Sequence, residues 1–249
     1  MEVHHHPHLP HVEKKNFKEY FLEFIMIFLA VTLGFFAESL REYFGDRQKE
    51  TEYMHSLVED LKEDTATLHY SIWRLQHDID NGHELMVLFA KNELSSQNYR
   101  RILNLTIGNS VDIIFNDRTS SQLKSSGSIR LIRHRNISDS LSQYWNNEIE
   151  IMQAHDKFEN FREKQHDIGF KTFSWYRAFF MPRLMGADSS VIKTMTFKAI
   201  INPGNMDEFM NASGNLFNEA LYQYEPSLEK QLALGTWLIE QIPKEYPSK

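Results

Sequence analysis

From Phe24 to Ala37 the chain runs fourteen residues without a charge, and no other feature narrows its possible folds as much. Fourteen residues are short for a bilayer span. Tyr20 to Leu40, 21 residues, makes about 31 Å of helix, which does reach across. Glu23 and Glu38 then sit near the two ends, where charge costs far less than at the centre. Tyr20, Phe21 and Tyr43 suit the interfaces. Two rivals fit worse. A helix buried in a soluble core would keep a polar side for water, but Phe24 to Phe36 is apolar all round. A cleaved leader needs small residues ahead of its cut, and Phe35 stands two places before Ala37. Residues 17–41 therefore read as a transmembrane anchor in contact with the lipid bilayer.

That anchor also carries a face of its own. Glu23, Ile27, Ala30, Gly34, Ala37 and Arg41 recur at alternating spacings of four and three, so they share one side of a helix. Ala30 and Gly34 form a small-x-x-x-small pair that lets a second helix approach closely. Glu23, Ala30, Gly34 and Ala37 are thus the expected contact face, toward a second copy or another membrane protein. Orientation is balanced by charge: Lys14, Lys15 and Lys18 precede the span, and Arg41, Arg47 and Lys49 follow it. A short tail ahead of a large domain favours a cytoplasmic N-terminus and an extracytoplasmic C-terminal domain.

Outside the span the chain is polar enough that mean hydropathy over all of it is −0.48. Hydrophobic residues make up 41% and Phe alone numbers 18, which is sufficient for a core. The net charge of −7 removes any global electrostatic case for nucleic acid. The absence of Cys removes disulfides, zinc–thiolate sites and cysteine nucleophiles together.

Periodicity predicts an all-α fold: one N-terminal transmembrane helix continuing into a long-helix antiparallel bundle, three long helices plus short connecting ones. Met54, Val58, Leu61, Thr65, Leu68, Ile72, Leu75, Ile79, Gly82, Met86 and Phe89 alternate spacings of four and three, a heptad seam with only Thr65 and Gly82 off type. Between them lie acids and bases such as Glu59, Asp60, Lys62, Glu63 and Asp64. A second long helix starts at a cap on Asn136 or Ser138 and carries an apolar side from Ile137 to Phe179, ending before Pro182. It is expected to return antiparallel to the first, bringing Phe173, Trp175, Tyr176 and Phe179 to the membrane interface. A third helix spans Met206 to Ile242, kinked or split at Pro226. Asn202-Pro203-Gly204 is a turn, residues 182–205 a weak linker, and Gly108-Asn109-Ser110 and Gly127 break the stretch Gln97 to Arg135. The domains are thus a His-rich flexible tail (1–16), the anchor (17–41) and the extracytoplasmic bundle (42–249).

Three features invite chemistry. Arg118, Lys124, Arg130, Arg133 and Arg135 face only Asp117 within their stretch, a cluster able to hold a phosphate, carboxylate or anionic glycan. The competing reading packs the same residues on the acidic first helix. His4, His5, His6, His8 and His11 form an N-terminal tract of potential metal ligands, but their spacing is irregular and a solvated tail explains them as well. Glu52-x-x-His55 and Glu163-x-x-His166 have the spacing of di-iron bundles. The seam sets Glu52 and His55 beside the core, and short matches are expected in a chain with 34 acids and 12 His. No phosphate loop, nucleophile elbow or zincin motif occurs, and His155 on an apolar face reads as a core histidine. No residue is nominated as catalytic and no cofactor is called for.

Phe21 to Asp64, with Tyr53, Leu57, Asp60 and Leu61 opening the soluble helix, and Gln122 to Trp145 resemble an uncharacterised family of bacterial single-pass membrane proteins known only as a domain of unknown function. The resemblance covers about half the chain and implies the bacterial inner membrane; it supplies no activity. The leading expectation is a membrane-anchored, non-enzymatic interaction or scaffold protein. The alternatives are a bundle sensing an anion or small ligand through a membrane partner, a metal-handling protein using the His tract, and an enzyme without a known motif.

Overall fold

The computed structural model describes residues 16–94, 99–106, 113–174 and 201–247. These form six α-helices: α1 (Phe17–Ala90), α2 (Tyr99–Thr106), α3 (Arg118–Ser125), α4 (Arg135–Thr172), α5 (Met206–Glu219) and α6 (Glu225–Glu245). Short 3-10 turns cover Ser128–Leu131 and Pro203–Asn205, and a π turn, Ala220–Tyr224, joins α5 to α6. Among the described residues the only β feature is an isolated antiparallel bridge between Phe173 and Ile201. The all-α class expected from periodicity is what the chain adopts. Two units divide it, Met1–Glu50 and Thr51–Lys249.

In the first unit, α1 is long and apolar enough to cross a membrane. An 18-residue window has mean hydropathy 2.1, and 0% of it is buried within the chain. Its only hydroxyl between Phe24 and Ala37, on Thr32, donates to the Phe28 carbonyl at 2.8 Å, so it asks nothing of its surroundings. Just beyond, Arg41 pairs with Glu38 at 2.5 Å.

The second unit is a bundle with its core in three layers. The first joins Met54, Leu57, Val58 and Leu61 of α1 to Leu123, Ile132, Ile137, Leu141, Tyr144, Leu238 and Ile242. The second joins Leu68, Ile72 and Leu75 to Ile113, Ile151, Phe158, Ala220, Tyr224 and Leu228. The third joins Leu85 and Leu88 to Ile102, Leu103, Leu105, Ile168, Phe173, Met206 and Phe209. Followed through these layers, the chain rises along α1, returns through α2, Ile113 and α3, rises again along α4, and comes back along α5 and α6.

This topology corrects one expectation. α4 is antiparallel to α5 and α6 but runs in the same direction as α1. The 44 residues from Lys91 to His134 explain it, because they leave an apolar side chain in every layer on the way back. Phe173 therefore lies with Leu85 and Leu88, at the opposite end of the bundle from Met54. It is 2% exposed and meets the Phe209 ring edge-on at 5.0 Å. Phe173 is a core residue and not a membrane-interface aromatic. Trp175, Tyr176 and Phe179 lie outside the described residues, as do the His tract, residues 182–200 and the break at Gly108-Asn109-Ser110.

The helix ends have local causes. After α1 the chain turns on Asn92 at φ 56; Asn92 N–H donates to Phe89 O and Glu93 N–H to Leu88 O, both at 2.9 Å, a Schellman closure with Asn in the left-handed position. α4 stops at Thr172, earlier than expected, because Phe173 takes an extended conformation and Asn202 N–H donates to Thr172 O at 2.7 Å. Pro226 lacks the N–H of a regular helix and crowds the carbonyl four residues earlier; the π turn before it widens the coil so that α5 and α6 stay continuous.

Both off-type positions of the seam mark close approaches. A Cβ on Gly235 of α6 would stand 2.9 Å from Thr65 Cγ2 and 3.1 Å from Tyr144 Cε2. A Cβ on Gly82 would stand 3.3 Å from Phe217. A strip at Leu57, Asp64, Ser71, Asp78 and Leu85, seven residues apart and beside the seam, also turns inward, with Asp78 half-buried and the rest buried. That gives α1 a buried face wider than the two-stripe seam of a coiled coil.

Candidate functional site

The densest buried chemistry lies where α1, α3 and α4 meet. Asp60 and Asp64 are one helical turn apart and only 2% and 3% exposed. The two carboxylates hold the first turn of α3 and Asn116 just ahead of it. Asp60 Oδ2 accepts the Thr119 N–H at 3.0 Å, and Asp60 Oδ1 pairs with Arg118. The local residue before the helix, Asp117, makes no side-chain cap, so α3 is capped from another helix. Asp64 Oδ1 accepts the Asn116 N–H at 2.7 Å, and Oδ2 accepts the Tyr144 hydroxyl at 3.1 Å. Glu63 accepts from Asn116 Nδ2 at 2.6 Å.

Burial pushes the Asp64 carboxyl up to about 6, opposed by its two hydrogen bonds and aided by the charges of Asp60 and Glu63. Glu148, one turn after Tyr144 on α4, is pushed up to about 7 by burial and by Asp64, with Lys124 working against the rise. The Tyr144 hydroxyl is raised by burial and by Asp64, so it stays protonated and donates. Gln231 of α6 donates from Nε2 to Tyr144 O at 3.1 Å, extending the network to a fourth helix. The arrangement can hold a proton near neutral pH and fasten 113–125 to the bundle.

The expected site residues are partly gathered here and partly dispersed. Arg118 is engaged by Asp60, as the packing reading of the basic stretch had it. Lys124 stands 4.6 Å over the Trp145 ring. Arg135 lies 3.5 Å from Asp139 on the surface, while Arg130 and Arg133 are exposed. Arg118, Lys124, Arg133 and Arg135 thus all have interactions within the chain. On the anchor, a Cβ built on Gly34 meets nothing within 4 Å, so no other described residue covers that position. His155 is half-buried and hydrogen-bonded, its Nδ1 2.7 Å from the Tyr224 hydroxyl. The two Glu-x-x-His pairs sit at opposite ends of the bundle. His55 contacts the Tyr246 carbonyl at 3.1 Å near the first layer, while His166 stands between Gln165 and Ile168 near the third, so they do not converge.

Asp60 and Asp64 lie between the seam positions of α1, where periodicity alone marks no role for them. The available signal was their spacing: Asp64 falls on the seven-residue strip begun by Leu57, and Asp60 stands one turn before it. The chain matches no protein-family model, no curated protein and no solved structure.

Proposed function

We propose that the chain is a single-pass membrane protein whose helical bundle is a non-enzymatic interaction module held at the membrane. The observation that carries this reading is the wholly exposed apolar stretch of α1, with mean hydropathy 2.1 and 0% buried. At about 25 cal/mol per Å² of apolar surface, leaving it in water is untenable, and lipid or a partner helix must cover it. The resemblance of Phe21–Asp64 and Gln122–Trp145 to bacterial single-pass proteins supports the inner membrane, with the N-terminus cytoplasmic and the bundle periplasmic. The Ala30–Gly34 face is the contact for a second copy or another membrane protein.

The test is affinity purification of the tagged full chain from detergent-solubilised bacterial membranes, after brief cross-linking. A stoichiometric membrane-protein partner or self-cross-linked dimer is expected, lost in Gly34→Ile and retained in Leu33→Ile. A chain recovered alone, with equal cross-linking in wild type and Gly34→Ile, contradicts the interaction reading. The anion-sensing alternative draws less support, because Arg118 and Lys124 already have partners within the bundle.

A further inference from the structure

Between the second and third core layers lies a cavity that neither the acid network nor the anchor uses. It is walled by α1, α2, α4 and α5, and the space open to water centres is about 40 Å³. One water needs roughly 10–15 Å³ on that measure, so there is room for more than one. Most of the wall is apolar, from Leu75, Leu105, Phe158 and Leu216 among others. Ala220, the first residue of the π turn, closes one side with the smallest side chain of that turn. Part-exposed Ile79, Asn81 and Phe217 form the rim toward solvent.

Two buried polar atoms on this wall have no hydrogen-bond partner, Asp78 Oδ2 and Gln165 Oε1. Gln165 is 5% exposed, and its amide is oriented by donation from Nε2 to Ser213 Oγ at 3.0 Å, which leaves Oε1 toward the cavity. Ser213 in turn donates to Phe209 O at 2.9 Å, so its own proton is committed. Arg162, also on the wall, donates from Nε to Glu159 at 2.8 Å. Both orphan atoms are acceptors, and a buried acceptor without a donor costs roughly 1–3 kcal/mol. The cavity is therefore built to take a donor, and the carboxylate favours one that carries positive charge.

We propose that this cavity binds a small organic amine, its ammonium donating to Asp78 and Gln165 and its short hydrocarbon part lying against Phe158 and Leu216. Asp78 supplies charge, Gln165 orientation, and the apolar wall selects against bare ammonium or metal ions, which keep their hydration. The site couples α1, α4 and α5, so occupancy stiffens the far half of the bundle.

The test is titration calorimetry on the full chain in detergent micelles, with methyl-, ethyl-, n-propyl- and n-butylammonium chloride. n-Propanol serves as a neutral probe of the same shape. Saturable one-to-one binding of at least one amine is expected, with n-propanol much weaker. The isosteric Asp78→Asn removes charge without removing volume and is expected to weaken amine binding roughly tenfold or more. Circular dichroism checks that the variant is folded. Gln165→Leu, which keeps the apolar volume, is expected to weaken binding to a lesser degree. No saturable binding by any amine, n-propanol binding as tightly as n-propylammonium, or an unchanged affinity in folded Asp78→Asn overturns the proposal. A cavity filled by water alone gives the first of these results.

Discussion

The side chains that most distinguish this bundle are Asp64 and Glu148. Each has its carboxyl pushed up, from 3.8 to about 6 and from 4.5 to about 7. The folded chain therefore binds their protons more tightly than the unfolded chain does. Their stabilising contribution is complete below the unfolded values and is lost as pH rises through about 6 and about 7. The half-buried Asp78 shifts the same way. His166, held below its ordinary value by burial, works in the opposite sense, because it must charge as pH falls. The difference between wild type and Asp64→Asn isolates the acid network. Asn keeps the shape, and its amide can donate to the Tyr144 oxygen. In thermal melts between about pH 8 and about pH 5.5, the variant is expected to be more stable than wild type at the alkaline end, with the gap closing toward the acid end. A constant gap contradicts the assignment of Asp64 as the raised group.

At the scale of elements, the two imperfections of the α1 seam are the places where helices come closest. Gly235 has no room for a side chain, since its Cβ would stand 2.9 Å from Thr65. Gly235→Ala is expected to cost about 1–3 kcal/mol of stability by chemical denaturation, as overpacking does. Gly45, with nothing within 4 Å of its Cβ, is the control. There Ala is expected to be neutral or to stabilise the helix by about 0.5–1 kcal/mol. Equal effects at the two positions argue against the close approach of α6.

The sequence makes the helices legible but not all of their directions. Met54 to Phe89 and Ile137 to Ile168 announce buried helical faces, and a heptad seam has no arrow in it. Direction is set by Ile102, Ile113, Leu123 and Ile132, which are scattered among loops and short helices and carry no period of their own. Asp60 and Asp64 stayed hidden for a similar reason: only contact with Asn116 and Thr119, more than fifty positions away, makes them buried acceptors. Spin labels on introduced cysteines, unambiguous in a chain without native Cys, test the topology. Labels at Glu52 and Arg135 are expected to be close. Those at Glu52 and Lys171 should be separated by most of the 38-residue length of α4, about 55 Å. The reverse pattern restores an antiparallel α1–α4 pair and rejects the layer order.

For the whole molecule, a bundle with a layered apolar core follows in sequence an apolar stretch of α1 that is long enough to cross a membrane and has 0% of its window buried among the described residues. The membrane is therefore the central claim, and the proposed partner, orientation and bacterial location all depend on it. Extraction of membranes from cells expressing the full chain, beside a deletion of Tyr20–Leu40, addresses it directly. The full chain is expected to stay in the membrane pellet through alkaline carbonate and to dissolve only in detergent, while the deletion is released without detergent. Full-length chain found in the soluble fraction without detergent would contradict the anchor and the account built on it.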